Sequence, residues 1–121
     1  MTPVPRKRAA EIRGRRAETL AVWMLRLKGY RILARRLRTP LGEIDIVARR
    51  GNTVAIVEVK ARATHDAAVA SLSPHQQQRL AAAAAWLPNW KPALTGLDMR
   101  LDVVAVAPRS LPLHVQNAWT A

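Results

Sequence analysis

Two stretches that look like β-strands, joined by a tight turn, constrain the fold of this chain most strongly. They lie in GEIDIVARRGNTVAIVEVKAR, residues 42–62, where branched apolar residues alternate with charged ones. Gly51 and Asn52 are typical of a two-residue hairpin turn. Such a turn pairs Arg50 with Thr53 and so sets the register of the hairpin. A four-residue loop from Arg50 to Thr53 gives the same register.

In this register, four charged side chains meet on one face. Asp45 faces Glu58 and Glu43 faces Lys60, and residues two apart in a strand share a face. Facing Cβ atoms lie about 5 Å apart, so like charges there destabilise a sheet. Lys60 neutralises one acid, but Asp45 and Glu58 still share an apolar space where a carboxylate is costly. We therefore expect a divalent cation, Mg²⁺ or Mn²⁺, between these carboxylates, because such ions prefer oxygen ligands.

Two other interpretations of the hairpin stay open. The acids could form surface ion pairs on a solvent-facing sheet, but Val47, Val54 and Ile56 would then be exposed beside them. An odd-length loop would instead slip the register by one residue and move the acids to opposite faces. A structure separates these interpretations. A slipped register would move the carboxylates apart, and a solvent-facing sheet would expose the apolar residues beside them.

The charge of the chain indicates a polyanionic partner. Its 121 residues hold 20 Lys and Arg against 8 Asp and Glu, a net charge of +12. Residues 1–38 contain twelve of the basic side chains and two of the acidic ones, so the positive charge is concentrated at one end. Such a surface attracts nucleic acid through its phosphates. A charged surface kept for solubility and an anionic membrane surface are the alternatives.

Length and composition predict a cytoplasmic protein of one domain. Every apolar run is far shorter than the roughly 20 residues that span a bilayer. The basic N-terminus lacks the apolar core of a secretory signal. The absence of cysteine excludes disulfides and zinc-thiolate sites, and it fits a reducing compartment. We therefore expect no membrane segment.

A first helix is predicted from about residue 9 to residue 28. Gly29 suits the left-handed position that follows a helix end. Glu18 continues a row of helical spacing that becomes apolar at Val22 and Leu25. Glu18 therefore either faces inward or forms a surface pair with Arg15.

The remaining pattern predicts an α/β sandwich. YRILARRLRT reads as an edge strand with Arg36 and Arg38 on one face. A second helix is predicted after Ser73, with Pro74 in its first position and a capping box, and its end is expected at Pro88. MRLDVVAVA and LHVQNAW are further strands. This order of elements predicts a mixed β-sheet flanked by helices.

The hairpin and its surroundings are similar to a known family. Asp45, followed by EVK at residues 58–60, resembles the pattern of the PD-(D/E)xK nuclease superfamily. The longer text, with GYRILARRLRT before it and RLDVVAV and HVQNAW after it, resembles the YraN family of small bacterial proteins regarded as endonucleases. The likeness runs from about Gly14 onward. It implies a restriction-endonuclease-like sandwich with an α-β-β-β-α-β core, similar to Holliday-junction resolvases.

The resemblance also implies roles for particular residues. Asp45 and Glu58 would bind the metal with the carbonyl of Val59, and Lys60 would orient or help deprotonate the attacking water. Glu18 matches a first-helix glutamate that related nucleases bring to the metal.

Two further positions are read from the family pattern. Glu43 matches the family's GEID and would act through a water or by holding Lys60. Arg36 departs from the pattern, because the family usually has asparagine there, and this puts details of substrate contact in doubt.

His65, His75 and His114 lack the spacing of metal ligands and are taken as incidental.

We therefore expect a Mg²⁺-dependent endonuclease that hydrolyses phosphodiester bonds and selects DNA by structure. The side chains expected to hold the nucleic acid are Arg6, Lys7, Arg8, Arg13, Arg15, Arg16, Arg36 and Arg38. The chain is divided into a flexible basic arm, residues 1–13, and one endonuclease-like domain, residues 14–121. A homodimer is expected by analogy with resolvases. A non-catalytic nucleic-acid-binding protein and a basic assembly partner are the competing classes.

Overall fold

The computed structural model describes the backbone of residues 6–118 and the side chains of residues 13–118. Its elements, in chain order, are α1 (Arg6–Leu27), β1 (Arg31–Thr39), β2 (Gly42–Arg50), β3 (Thr53–Ala61), α2 (His65–Ala70), α3 (Pro74–Trp90), β4 (Asp98–Val106) and β5 (Leu113–Val115). One turn of 3₁₀ helix precedes β4. In this part of the chain, every helix is too short or too polar to cross a membrane.

The five strands form one mixed sheet in the order β1-β2-β3-β4-β5. β3 and β4 run parallel, and the other neighbouring pairs are antiparallel. Apolar side chains of α1, such as Val22 and Leu25, pack on one face of the sheet. Leu80 and Leu87 of α3 pack on the other face. The predicted restriction-endonuclease-like sandwich is therefore confirmed.

Helix α1 begins before the predicted start and presents Glu18 to the sheet. It starts at Arg6, so it includes residues 6–13 of the segment described above as a basic arm. Gly29 adopts a φ of +90° after the helix end, as predicted. The row that continues from Glu18 to Val22 and Leu25 is buried, while Leu20 and Trp23 are exposed. Glu18 therefore faces inward.

Two helical features differ from the prediction. The capping box at Ser73 is present, but Pro88 does not end α3, which continues to Trp90. A proline near the end of a helix removes a single N–H group, and Lys91 N–H still bonds to the Leu87 carbonyl at 2.9 Å. The short helix α2 was expected to be a loop. It forms because the Thr64 hydroxyl caps it.

Candidate active site

The predicted hairpin register is correct over the half next to the turn. Backbone pairs run from Arg50 opposite Thr53 to Ile46 opposite Val57. Pairing stops there, so the expected backbone pair between Asp45 and Glu58 is wrong. β2 continues along β1, whereas β3 continues along β4. The hairpin therefore opens where the acids begin.

The carboxylate of Asp45 fills the position that a strand backbone would otherwise occupy. Its Oδ2 accepts a hydrogen bond from the Val59 N–H at 2.8 Å. The alternation of side chains also breaks at Asp45, since Ile44 lies in the core under α3 and Ile46 in the core under α1. In a regular strand these two isoleucines would share a face. Asp45 thus marks the point at which the alternation of β2 changes, and its side chain satisfies an N–H group of β3.

Glu58 and Lys60 lie next to each other on β3. Glu58 is 8% exposed, and its Oε1 lies 3.3 Å from the Lys60 ammonium. The expected pairing of Glu43 with Lys60 is wrong, because the pairing of β2 with β3 ends at Ile46 and Val57 and Glu43 pairs only with Arg38 on β1. β2 has already left β3 at this point. Lys60 is therefore held by Glu58 alone among these acids.

Asp45 and Glu58 perturb each other. Burial, and then the charge of Asp45, raise the pKa of Glu58 to about 7, while Lys60 opposes the shift. Burial also raises the pKa of Asp45, although the Val59 N–H and Lys60 act in the opposite direction. A side-chain hydrogen bond between the two acids contributes to both pKa values. The two carboxyl groups therefore share a proton or need a positive partner.

An open cavity of about 430 Å³ lies in front of Asp45. Its lining consists of Gly14, Arg15, Glu18, Arg36, Arg38, Glu43, Asp45 and Val59. Three of the acids expected in the site and three of the arginines expected to bind nucleic acid therefore surround one space. Glu58 and Lys60 are not part of this lining and adjoin it through Asp45. The two alternative interpretations of the hairpin, exposed acids and a slipped register, do not describe this arrangement.

Glu18 is held by two arginines of β1. Its oxygens accept hydrogen bonds from Arg35 Nε at 3.0 Å and from Arg36 Nε at 2.8 Å. The expected surface pair with Arg15 is therefore replaced by partners 17 and 18 residues away. The hydrogen bond and charge of Glu18 raise the pKa of Arg36. Arg36 has a φ of +50°, a left-handed conformation that suits asparagine, the usual residue of the YraN pattern, better than arginine.

The donor set around Asp45 consists of oxygen atoms. One oxygen of each carboxylate is assigned, Asp45 Oδ2 to the Val59 N–H and Glu58 Oε1 to Lys60, so the second oxygens are left for a proton or a cation. The Val59 carbonyl points to the same side of β3 as its N–H, toward Asp45. In the described part of the chain, no group of three His, Cys, Asp or Glu side chains is arranged around a metal position. Two carboxylates and one carbonyl could hold Mg²⁺ or Mn²⁺, with waters as further ligands.

The basic residues separate into groups. Arg15, Arg36 and Arg38 line the cavity at Asp45, whereas Arg13 and Arg16 line a second cleft on the other side of α1. The side chains of Arg6, Lys7 and Arg8 lie outside the described residues.

Comparison with known proteins identifies the family. The model described as "Uncharacterised protein family UPF0102" matches residues 17–106. This chain belongs to the UPF0102 family. UPF0102 is the YraN family, so the resemblance noted in the sequence is confirmed. The match includes α1 from Ala17 onward and the strands β1, β2, β3 and β4 in full. Of the residues that line the cavity at Asp45, only Gly14 and Arg15 lie outside it.

UPF0102 relatives cover most of this chain. A UPF0102 protein of Parvibaculum lavamentivorans is 58% identical over 106 residues, which are 88% of this chain and 80% of the relative. A UPF0102 protein of Chelativorans is 54% identical over 90% of this chain and 88% of the relative. One of Rhodopseudomonas palustris is 52% identical over 98% of this chain and 92% of the relative.

The UPF0102 chain contains a second buried polar cluster that sequence analysis did not assemble. Asp102 is fully buried and accepts hydrogen bonds from Arg100, from His114 Nε2 at 2.8 Å and from the Asn117 N–H at 2.8 Å. His114 was taken as incidental in the sequence, but it belongs to this cluster. Lys28 donates to His114 Nδ1 at 2.6 Å, which places the ring proton on Nε2. This cluster ties α1, β4 and β5 together.

Titration of Glu58 is expected to weaken the fold of this UPF0102 chain as pH rises. The folded-state pKa of about 7 lies above the ordinary value of 4.5, so the stabilising proton is fully bound below pH 4.5 and lost as pH rises through 7. Glu58→Gln removes this titration. Its free energy of unfolding should exceed that of the parent by about 1–3 kcal/mol at pH 8, and the difference should close toward pH 4.5.

Urea denaturation at pH 5 and pH 8 without divalent ions measures this effect. Glu43→Gln, which removes an exposed acid of β2, is the matched control and should follow the parent at both pH values. Equal pH dependence of the parent and Glu58→Gln would contradict the raised pKa of Glu58.

Proposed function

We propose that this UPF0102 chain is a metal-dependent endonuclease that hydrolyses phosphodiester bonds of DNA and selects its substrate by structure. One observation carries the proposal. Glu58 is buried and Asp45 lies half-buried beside it, both with raised pKa values and with Lys60 against Glu58, next to a cavity lined by arginines. Two neighbouring carboxylates with raised pKa values beside a cationic cavity are typical of functional sites, where such costly arrangements serve binding or chemistry.

Asp45, Glu58 and the Val59 carbonyl would hold Mg²⁺ or Mn²⁺. When bound there, such an ion lowers the pKa of a water ligand and offsets the charge that develops on the phosphate. The Val59 N–H fixes Asp45 through its Oδ2, and Glu58 fixes Lys60. Lys60, with a side chain that is 14% exposed, can then orient the attacking water or donate to a phosphate oxygen. No covalent intermediate is required.

The arginines of the cavity account for binding of the substrate backbone. Arg15, Arg36 and Arg38 surround Asp45, so a phosphate that approaches the carboxylates is also within reach of cationic side chains. Contacts to phosphate position a nucleic acid without reading its bases. Recognition is therefore expected to depend on the shape of the substrate, such as a branch or a nick, rather than on its sequence.

A non-catalytic nucleic-acid-binding protein is the second candidate function, and one observation favours it. Glu18, the acid that related nucleases bring to the metal, is already neutralised by Arg35 and Arg36. Because the pKa of Glu58 is raised to about 7, a proton can replace a metal in balancing the charges of Glu58 and Asp45 near neutral pH. Such a protein would use the same basic surface and would not cleave.

Cleavage of branched, nicked, single-stranded and duplex DNA, each with and without Mg²⁺ or Mn²⁺, tests the proposal. The parent should cut in the presence of metal and not in EDTA. Lys60→Ala should slow cleavage by about 10²–10⁴-fold, because a positioned proton-transfer group typically contributes that much. Lys91→Ala removes an exposed lysine elsewhere and should leave the rate unchanged. Absence of cleavage with either metal, together with salt-dependent binding, would favour the non-catalytic function.

A further inference from the structure

A second, larger cleft lies on the opposite side of α1 from Asp45. Its volume is about 630 Å³, within the range of clefts that hold small ligands. The walls come from α1 and from the segments that follow the parallel strands β3 and β4, residues 61–63 and 106–110. In α/β proteins, ligands bind preferentially outside the carboxyl ends of parallel strands. The position of the cleft is therefore typical of a binding site.

Four arginines line this cleft: Arg13, Arg16, Arg62 and Arg109. The lining contains no Asp or Glu. Among the described residues, none of the four arginines forms an ion pair. The guanidinium of Arg62 donates a hydrogen bond from Nη1 to its neighbouring carbonyl, Ala61 O, at 2.7 Å. Within the part of the chain that the structure describes, this charge has no acidic partner, in contrast to Arg35 and Arg36 at Glu18, so the cleft attracts an anion.

The floor between these arginines is apolar. Ala17 and Ala107 are buried there, and Leu20 and Pro108 contribute exposed apolar surface. A bare phosphate gains nothing from such a floor, whereas the face of a base or a sugar can pack on it. Phosphates of an intact duplex lie on a convex surface with their bases stacked inside. The combination of a cationic rim and an apolar floor therefore fits a nucleotide that is not base-paired.

The cleft adjoins the candidate active site. Along β3, Val59 lines the cavity at Asp45 and Ala61 lines the cleft, and residues two apart in a strand are separated by about 7 Å. On α1, Gly14 and Glu18 face the cavity, while Arg16 faces the cleft. The two spaces are thus separated by the width of one helix and lie within the reach of a single nucleic-acid strand.

We propose that the cleft binds unpaired nucleotides of a DNA branch, with phosphates on Arg62 and Arg109 and a base or sugar on the apolar floor. This inference rests on the proposed function for the nature of the ligand. It supplies a physical basis for structure selection, because a strand can reach the cleft only where it has left the duplex. Arg62 and Arg109 then become determinants of substrate structure.

Binding measured in EDTA tests the cleft independently of cleavage. Fluorescence anisotropy would compare a single-stranded oligonucleotide, a duplex with a single-stranded flap and a blunt duplex of equal length. The variant R62Q/R109Q removes two charges but keeps most of each side chain. R26Q/R31Q removes two exposed charges outside both spaces and is the matched control.

We expect R62Q/R109Q to bind the single strand and the flap at least tenfold more weakly than R26Q/R31Q does. The salt dependence of single-strand binding should fall by about 1.4 in the log–log slope, since each lost phosphate contact contributes about 0.7. Blunt-duplex affinity should be equal for the two variants. If R62Q/R109Q and R26Q/R31Q bind each of the three DNAs with equal affinity, the inference is overturned, whatever the cleavage result. If R62Q/R109Q loses flap binding and the parent never cleaves DNA, the result supports the binding cleft and counts against the nuclease.

Discussion

Replacement of Asp45 by asparagine is expected to reduce metal-dependent cleavage by on the order of 10³-fold while nucleic-acid binding is retained. The substitution changes charge with little change in shape. An asparagine carbonyl oxygen can still accept the hydrogen bond that the Val59 N–H gives to Asp45 Oδ2. The hydrogen bond between residue 45 and β3 therefore persists, while one of the two carboxylates that would hold the cation is lost.

The same substitution has a second expected effect, on Glu58. The charge of Asp45 is the second largest cause of the raised pKa of Glu58, after burial. In Asp45→Asn, the pKa of Glu58 should fall toward its ordinary value, and the fold should lose less stability between pH 4.5 and pH 7 than the parent does.

Cleavage rates, anisotropy in EDTA and thermal unfolding of the same preparations distinguish these effects. Asp98→Asn is the control, because Asp98 is exposed at the start of β4, beside the hairpin turn and away from Glu58. It should match the parent in all three measurements. Retention of the parental cleavage rate in Asp45→Asn would exclude Asp45 as a metal ligand.

Asp102→Ala is expected to be strongly destabilising, at a cost of about 3–5 kcal/mol in the free energy of unfolding. Asp102 has no exposed surface. Its removal leaves Arg100 and His114, with side chains 19% and 2% exposed, without the carboxylate that pairs with them. The Asn117 N–H loses its acceptor as well, so β5 loses part of its attachment to β4.

The contribution of Asp102 should depend on pH in a defined direction. Burial alone would raise its pKa, but hydrogen bonds from His114, Arg100 and the Asn117 N–H outweigh burial and lower it. A group with a lowered pKa stabilises the fold above its unfolded value, 3.8, and loses that contribution as pH falls through the folded value. The difference between the parent and Asp102→Ala should therefore shrink in strong acid.

Urea denaturation at pH 7 and at acid pH measures the free energies of unfolding. Asp98→Ala removes an exposed acid of the same strand and should change stability by no more than about 0.5 kcal/mol. A loss below about 1 kcal/mol in Asp102→Ala at pH 7 would show that the cluster contributes little to the fold.

Local sequence signals predicted the frame of the molecule well. The Gly51 and Asn52 turn set the register near the turn, Gly29 ended α1 and Ser73 capped α3, because each of these features depends on a few neighbouring residues. The helical spacing of Glu18 with Val22 and Leu25 left two interpretations open, an inward-facing side chain and a surface pair, and the structure shows the inward-facing one. The chain order of helices and strands was read from the sequence pattern and agrees with the α-β-β-β-α-β core that the family resemblance implies.

The site itself was predicted less completely, because its geometry depends on competition between distant partners. The register rule assumed that β2 stays with β3, but the Asp45 carboxylate takes the Val59 N–H and β2 follows β1. Spacing offered Arg15 as the partner of Glu18, whereas the tertiary fold supplies two arginines from another element. His114 meets Asp102 through the pairing of β4 with β5, which nothing in its sequence neighbourhood indicates.

The hold of Arg35 and Arg36 on Glu18 has a consequence for ligand discrimination. A carboxylate that is part of the same chain competes with any incoming anion at a high effective concentration. A free phosphate ion would offer only one weak contact in place of the Glu18 carboxylate and would be excluded. A polymer brings many phosphates, so it could displace Glu18 at one point while it stays bound at others. The ion pair thus sets an affinity threshold that favours long polyanions over the small anions of the surrounding solution.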